Sequence, residues 1–509
     1  MTKNYLDILA ETIRNNWDQP ALTDFYFTED GKAQDTSRGN HYTYGEMYAE
    51  ICRVADLLTS LDLQKGDHIA ICGANSSHWV IAYIAIAKMQ GVSVLVMHSL
   101  TPEQKAQLLH FSDTQTLIVD RELWQEMNAP QLEHVIAMDD WSLLSPSFGQ
   151  TENGQTDVDK ENISILQCDQ DELQTICFTS GSTGRPKGVM LSYRNVSASS
   201  KGVADACVLH DNKRAVSFLP LSHAYVLGGQ VLTPLSYGAC VYSLRGITAP
   251  EQMFAAIAAI QPYAVFLVPM LVAKLGDERF RPLLPILIRS LEYMVIGGAD
   301  FPIETEKALA AMRVPIAPGY GVTETAALIS LSPFSQHRLG ASGRVISTLE
   351  CSIASNGEIL VEGENVMLGY YKDPEATAQK IDSDGWLHTG DKGHLDEDGY
   401  LYVEGRLEQD IIVLPNGENI RPDSIETLIN ALPEVKESIV LARDGRLIAI
   451  VVPEITNHQS PITNADLRRH ILRTINPQLP LFSQLYDVEI TDHPLQRTEK
   501  QTIKRYLYK

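Results

Sequence analysis

Thr179-Ser-Gly-Ser-Thr-Gly-Arg-Pro-Lys-Gly188 packs four hydroxyl side chains, three glycines and two cations into ten consecutive positions. Glycines let backbone N–H groups approach an anion closely, hydroxyls add neutral donors, and Arg185 and Lys187 add charge. The composition is that of a polyphosphate cradle. A Walker loop requires Gly-Lys followed by Ser or Thr at a helix start. Here Pro186 precedes Lys187 and Gly188 follows it, so that pattern fails. The flanks, 174–179 and 188–191, are short β-prone runs. Ser192 is placed to cap a helix starting at Tyr193. The loop is therefore expected to join two strands.

Outward from the loop, strand and helix alternate. Apolar residues recur at helical spacing over 44–61, and a strand follows at 68–72. A helix is expected over about 77–90 and a strand over 92–97. The same rhythm returns downstream, with strands at 215–219, 239–242, 264–268 and 293–296. Strand–helix–strand order implies parallel sheets with crossover helices. Residues 145–171 are polar and read as an exposed excursion. Over about 339–403 short strands alternate with Gly-Glu, Asp-Gly and Asn-Gly turns, which suggests an antiparallel, barrel-like portion. A small α+β unit of roughly a hundred residues follows Arg406.

At 509 residues the chain is too long for one core. Hydrophobic content of 44% and charged content of 21% are those of a soluble globular protein. A formal charge of −23 leaves no basic surplus, which argues against a nucleic-acid partner. Seven cysteines (Cys52, Cys72, Cys168, Cys177, Cys207, Cys240 and Cys351) are scattered without metal-type spacing. Most fall in apolar runs and read as buried thiols of a reducing compartment. No signal peptide is evident and no stretch reaches the length of a transmembrane segment. A cytoplasmic protein is expected. Peripheral membrane contact and the choice of monomer or homodimer stay open.

Four further segments accompany the loop in order: Gly319-Tyr-Gly-Val-Thr-Glu-Thr325, Asp384-Gly-Trp-Leu-His-Thr-Gly-Asp391, Gly405-Arg406 and a basic run around Lys500. Together they resemble the adenylate-forming (AMP-binding) superfamily of acyl-CoA synthetases, peptide-synthetase adenylation domains and luciferases. The resemblance runs from Tyr42-Thr-Tyr-Gly-Glu46 to Arg505. It implies an α/β fold with a large N-terminal domain of parallel-sheet subdomains and a small β-barrel-like portion (1–404). A hinge (405–410) and a small α+β C-terminal domain (411–509) follow. It also implies an enzyme that joins a carboxylic acid to the α-phosphorus of ATP, releases pyrophosphate, and passes the acyl group to CoA. ATP, Mg²⁺ and CoA are the implied cofactors and co-substrates.

Two anions must meet in the first step, so the protein's task is charge neutralisation and alignment. By resemblance, Thr179, Ser180, Gly181, Ser182, Thr183, Gly184 and Lys187 hold the β- and γ-phosphates. Glu324, just after Thr323, ligates Mg²⁺. Gly297, Gly298 and Ala299 line the adenine, Tyr320 stacks on it, and Gly319 and Gly321 permit close approach. Asp391 accepts both ribose hydroxyls, since a carboxylate takes two hydrogen bonds at once. Arg406 adds a charge-assisted contact. His223, in Leu219-Pro-Leu-Ser-His-Ala-Tyr225, matches a family position beside the carboxylate and α-phosphate. Taken singly, each has a plainer reading: a helix-start acid, a core aromatic, a turn residue, a solvated arginine, a structural histidine.

Two positions depart from the family pattern. Glu408 stands at the hinge position, where Asp or Lys is usual. Relatives commonly end Thr-x-x-Gly-Lys-Ile-x-Arg, whereas this chain reads Arg497-Thr-Glu-Lys-Gln-Thr-Ile-Lys-Arg505. Aligning the ends puts Thr502 where the catalytic lysine belongs. Lys500 is assigned that role, with Lys504 second. In the second step the family's C-terminal domain swings about the hinge, and Asn416-Gly-Glu-Asn419 resembles the loop that then enters the site.

The segments 319–326, 366–371 and 413–419 look most like long-chain fatty acyl-CoA synthetases, which implies a medium- or long-chain fatty acid. No acidic residue between Leu221 and Gly229 is dedicated to an amino group, which weakens an amino-acid substrate. Gly228 and Gly229 serve either to open space for an acyl chain or to pack helices. The alternatives are an acyl-AMP ligase that loads an acyl carrier protein and a degenerate nucleotide-binding protein of this fold.

Overall fold

Leu173–Thr179 and Lys187–Ser192 run antiparallel, with Thr179 opposite Lys187 and Phe178 opposite Gly188. The phosphate-type loop therefore does connect two strands of a hairpin. Ser192 caps the next helix, Tyr193–Ala206. Its hydroxyl accepts from Asn195 N, and the Asn195 side chain accepts from Ser192 N.

The computed structural model describes residues 2–27, 34–35, 39–127, 129, 131–144, 158, 160–165, 169–179, 187–207, 213–245, 250–275, 284–299, 301–407, 412–413, 419–420, 422–443, 446–454, 463–479, 483–497 and 503–508. It divides into two compact units, Met1–Glu404 and Gly405–Lys509.

In the first unit the hairpin belongs to a seven-stranded sheet. The order is Gly369–Tyr370, Lys187–Ser192, Leu173–Thr179, Val92–Leu95, His68–Cys72, Thr116–Val119 and His134–Ala137. From Leu173–Thr179 onward the neighbours are parallel. Helix Ser77–Lys88 crosses between two of these strands and is buried along almost its whole length. That is what a parallel sheet covered by crossover helices requires.

A second sheet of ten strands contains a run of parallel neighbours: Pro20–Phe27, Cys240–Leu244, Arg214–Ser217, Ala264–Leu267, Tyr293–Ile296 and Ile316–Tyr320. A four-stranded sheet, Leu349–Ile353, Glu358–Gly363, Leu387–Leu395 and Leu401–Arg406, is the expected barrel-like portion. One apolar core joins all three sheets, including Ile69 and Val189 of the first, Ala264 and Val295 of the second, and Ile359 and Leu387 of the third. Shared burial fixes the sheets against one another, because close-packed interiors deform little.

The second unit is α+β. Val435–Arg443 pairs antiparallel with Arg446–Pro453, which pairs parallel with Asp487–Ile490. Helices Pro422–Asn430 and Asn464–Ile475 bury Ile425, Ile429, Leu467 and Ile471 against it.

One expectation changes. Within 145–171, Ile163 and Ile165 are buried in the main core rather than exposed. Between them Ser164 O accepts from Tyr48 Oη and Lys88 Nζ. Two β-branched apolar residues flanking a bonded serine anchor a segment whose average composition is polar. Cys52, Cys72, Cys177, Cys207 and Cys240 are buried thiols in no disulfide, as expected, and Cys351 is half-buried.

Candidate active site

Strands Tyr293–Ile296 and Ile316–Tyr320 lie side by side, with Ile296 opposite Pro318. The residues that follow them, 297–299 and 321–325, therefore emerge together at the carboxyl edge of the sheet. That is where open α/β sheets bind ligands. The backbone there is tight. A Cβ on Gly297 would lie 3.2 Å from Gly319 O, and one on Gly321 would lie 2.3 Å from Ala327 O. Ala326 and Ala327 hold φ of 48° and 70°, sparsely populated values for alanine. They are retained by bonds from Ser199 Oγ to Ala326 O (2.8 Å) and from Ala327 N to Val322 O (3.0 Å). Gly321→Ala is expected to destabilise this unit by about 1–3 kcal/mol, the cost of overpacking. A thermal unfolding midpoint equal to wild type would show that the turn yields.

Tyr320 and Asp391 meet across two sheets: the Tyr320 hydroxyl donates to Asp391 Oδ2 at 2.6 Å. Asp391 is buried on strand Leu387–Leu395. Thr389 Oγ1 accepts its backbone N–H at 3.1 Å, and Gly390, at φ +76°, makes the intervening bend.

A second constellation links the hairpin to the 323–325 turn. Lys187 Nζ sits 4.8 Å from the centroid of the Tyr370 ring, and the Tyr370 hydroxyl donates to Glu324 Oε1 at 2.7 Å. Met367 N donates to Glu324 O at 2.9 Å. Thus Lys187, from the first sheet, and Glu324, from the second, are brought together by one tyrosine.

His223 is half-buried and leads into the short helix Ala224–Val226, which continues as a π-helical stretch, Leu227–Leu232. The next residue but one, Tyr225, stands against Gly297: a Cβ there would lie 3.5 Å from its ring. Tyr225 meets Phe266 edge-on, with centroids 5.8 Å apart. Burial pushes the Tyr225 phenol well above its usual pKa, so it stays neutral. The two glycines resolve differently. At Gly229 a Cβ would lie 2.5 Å from Phe266 Cε1, so this glycine serves packing. At Gly228 the nearest atom is Ser199 Oγ, 4.0 Å away.

Thr179, Lys187, His223, Gly298, Ala299, Tyr320, Gly321, Thr323, Glu324 and Asp391 all fall in the described part of the first unit. Ser180, Gly181, Ser182, Thr183, Gly184, Glu408 and Lys500 lie outside the described residues, as does the side chain of Arg406. Tyr370 and Tyr225 were not singled out from sequence. A Gly-Tyr-Tyr string signals a strand end, and nothing local to it signals Glu324. Among the described residues no group of three or more His, Cys, Asp or Glu is arranged to hold a metal. The single carboxylate of Glu324 fits Mg²⁺ nonetheless, because Mg²⁺ is commonly held by one or two carboxylates plus substrate phosphates. A separate cleft of about 500 Å³, lined by Asp205, Glu292, Tyr293, Ser332 and Arg344 among others, reaches the start of strand Tyr293–Ile296, opposite the site edge.

Comparison with known proteins identifies the family. The family model for the AMP-binding enzyme matches residues 9–371, and that for the AMP-binding enzyme C-terminal domain matches 409–508. The chain belongs to the AMP-binding enzyme family. Among its relatives is a 2-succinylbenzoate–CoA ligase of Oceanobacillus iheyensis, 29% identical over 87% of this chain and 89% of its own length. A 3-[(3aS,4S,7aS)-7a-methyl-1,5-dioxo-octahydro-1H-inden-4-yl]propanoyl:CoA ligase of Rhodococcus jostii is 28% identical over 81% of this chain and 85% of its own. The O-succinylbenzoate coenzyme A synthetase of Bacillus subtilis, solved with ATP and a magnesium ion, superposes with a TM-score of 0.78 at 23% identity, over 99% of this chain and 98% of that one. That likeness bears on the fold. Neither relative's name is that of a fatty acyl-CoA synthetase, so the expected special likeness to long-chain enzymes widens to the family as a whole. Among the described residues no helix is long and apolar enough to cross a membrane.

Proposed function

We propose that this chain is an ATP-dependent acid–CoA ligase working through an acyl-AMP. The observation behind the reading is the convergence of Tyr320–Asp391 and Lys187–Tyr370–Glu324 in one unit. Asp391 takes the ribose hydroxyls, while Tyr320, its own hydroxyl tied to that carboxylate, offers its ring to the adenine beside 297–299. Thr323 borders the nucleotide, and Arg406 adds a contact from the end of its strand. Lys187 and the 179–184 loop take the β- and γ-phosphates. Glu324 ligates Mg²⁺, which when bound offsets charge on the triphosphate.

His223 sits beside the incoming acid. The acid's carboxylate oxygen attacks the α-phosphorus as the bond to the bridging oxygen of pyrophosphate breaks. Lys500, on the C-terminal unit, stabilises charge on the α-phosphate oxygens. After rotation about Glu408 the CoA thiol attacks the acyl carbon and AMP leaves. One site then serves two half-reactions.

The acid is proposed to be aromatic or alicyclic. Tyr225 and Phe266 form an aromatic pair beside Gly297 and His223, and both relatives named above act on ring-bearing acids. Carboxylate-dependent ATP–pyrophosphate exchange over a panel of aromatic, alicyclic, fatty and amino acids tests this, with products weighed after adding CoA or acyl carrier protein. The highest turnover is expected with a ring-bearing acid and CoA. A preference for long-chain acids would overturn the substrate class. Failure of every acid to support exchange would favour a second reading, nucleotide binding without turnover, which Thr502 at the family's lysine position motivates.

A further inference from the structure

We infer that Tyr370 is a positioning residue for the metal and phosphate side of this site, acting on Glu324 through its hydroxyl and on Lys187 through its ring. The roles of those two partners rest on the acyl-AMP reading; the contacts themselves do not. Tyr370 is itself held from several directions. It pairs with Val189 across an antiparallel ladder, so Lys187, two residues from Val189, shares its face. Leu368 N and Tyr371 N donate to Met190 O and Gly188 O at 2.9 and 2.7 Å. Tyr370 N donates to Thr377 Oγ1 at 2.8 Å. Gly369, at φ +139°, lets that threonine in: a Cβ there would lie 2.8 Å from Thr377 Cγ2.

The consequence concerns Glu324. Its side chain projects from a three-residue turn, Thr323–Thr325, and has several torsions to fix. A buried hydroxyl donor engages one carboxylate oxygen and leaves the lone pairs of the other for a divalent cation. Partners that orient a metal ligand commonly change metal affinity by about 10–100-fold. The ring face gives the Lys187 ammonium a fixed seat at the hairpin end. One side chain thereby sets the spacing between the phosphate-side cation and the metal-side anion.

The test uses the full-length protein with α,β-methylene-ATP, which cannot release pyrophosphate, and Mn²⁺ as a spectroscopic probe. Tyr370→Phe keeps the ring and removes only the hydroxyl. Its Mn²⁺ dissociation constant by electron paramagnetic resonance is expected to rise about tenfold. In a Glu324→Gln background the same substitution should add nothing. Equal Mn²⁺ affinity in Tyr370→Phe and wild type would overturn the inference. Should the phenylalanine variant fold poorly, Thr377→Val, which removes the acceptor of Tyr370 N, should raise the constant severalfold, and no rise there would overturn it equally. A wild-type protein that binds nucleotide and Mn²⁺ yet exchanges with no acid would sink the acyl-AMP reading and leave the role of Tyr370 standing.

Discussion

Lys500→Ala loses carboxylate-dependent pyrophosphate exchange by about 10²–10³-fold, the usual cost of removing one preorganised charge from a transition state. The same variant forms thioester from supplied acyl-adenylate at close to the wild-type rate, because that step needs no stabilised pyrophosphate departure. In the C-terminal unit the described residues on either side of 498–502 are firmly held. Arg497 and Ile503 form an antiparallel bridge. Arg497 pairs with Glu437, and Arg505 pairs with the buried Glu426, which also accepts from Val440 N at 2.6 Å. The segment's two ends are thus tied to the sheet and to helix Pro422–Asn430. Lys504 is already placed by that tether: its N–H donates to Gln496 O, and it leads straight into the turn Arg505–Leu507. Lys504→Ala should therefore keep exchange within a few-fold of wild type. The reverse pattern, with exchange lost at position 504 and kept at 500, would transfer the role to Lys504.

The hairpin, its capped helix and both parallel sheets were legible because each rests on local chemistry. Strand-forming runs flank the Gly-rich loop, Ser192 precedes a helix, and strand and helix patterns alternate. Tyr320 and Asp391 were each legible as motif members, but their mutual bond was not. It spans 71 positions and depends on how the barrel-like sheet docks on the second sheet. The burial of Ile163 and Ile165 escaped notice for a similar reason, since average polarity over 145–171 hides two apolar anchors. Gly229 shows the limit from the other side: its partner, Phe266, lies on a different element. Motif likeness also leaned toward fatty acids because the motifs gather around the nucleotide, which every acid shares. Tyr225, which ends the 219–225 segment and stands against Gly297, carries no such signal in the sequence.

Asp391→Asn raises the KM for ATP by about 10²-fold with a smaller change in kcat. A carboxylate accepts from both ribose hydroxyls and from Tyr320, whereas an amide presents one acceptor and one donor. Hydrogen bonds to a charged group contribute about 1.5–3 kcal/mol each, so losing one costs roughly ten- to a hundredfold in affinity. Asn at a buried position also leaves the Tyr320 hydroxyl competing with the ribose for a single oxygen. Two comparisons separate these contributions. Tyr320→Phe removes the internal bond alone and should raise KM only severalfold. Substituting 3′-deoxy-ATP should weaken binding strongly in wild type and little in Asp391→Asn, since the contact is already gone. If the deoxy nucleotide penalises both proteins equally, the ribose does not bond to Asp391, and the carboxylate serves chiefly to hold Tyr320 at the edge of the sheet.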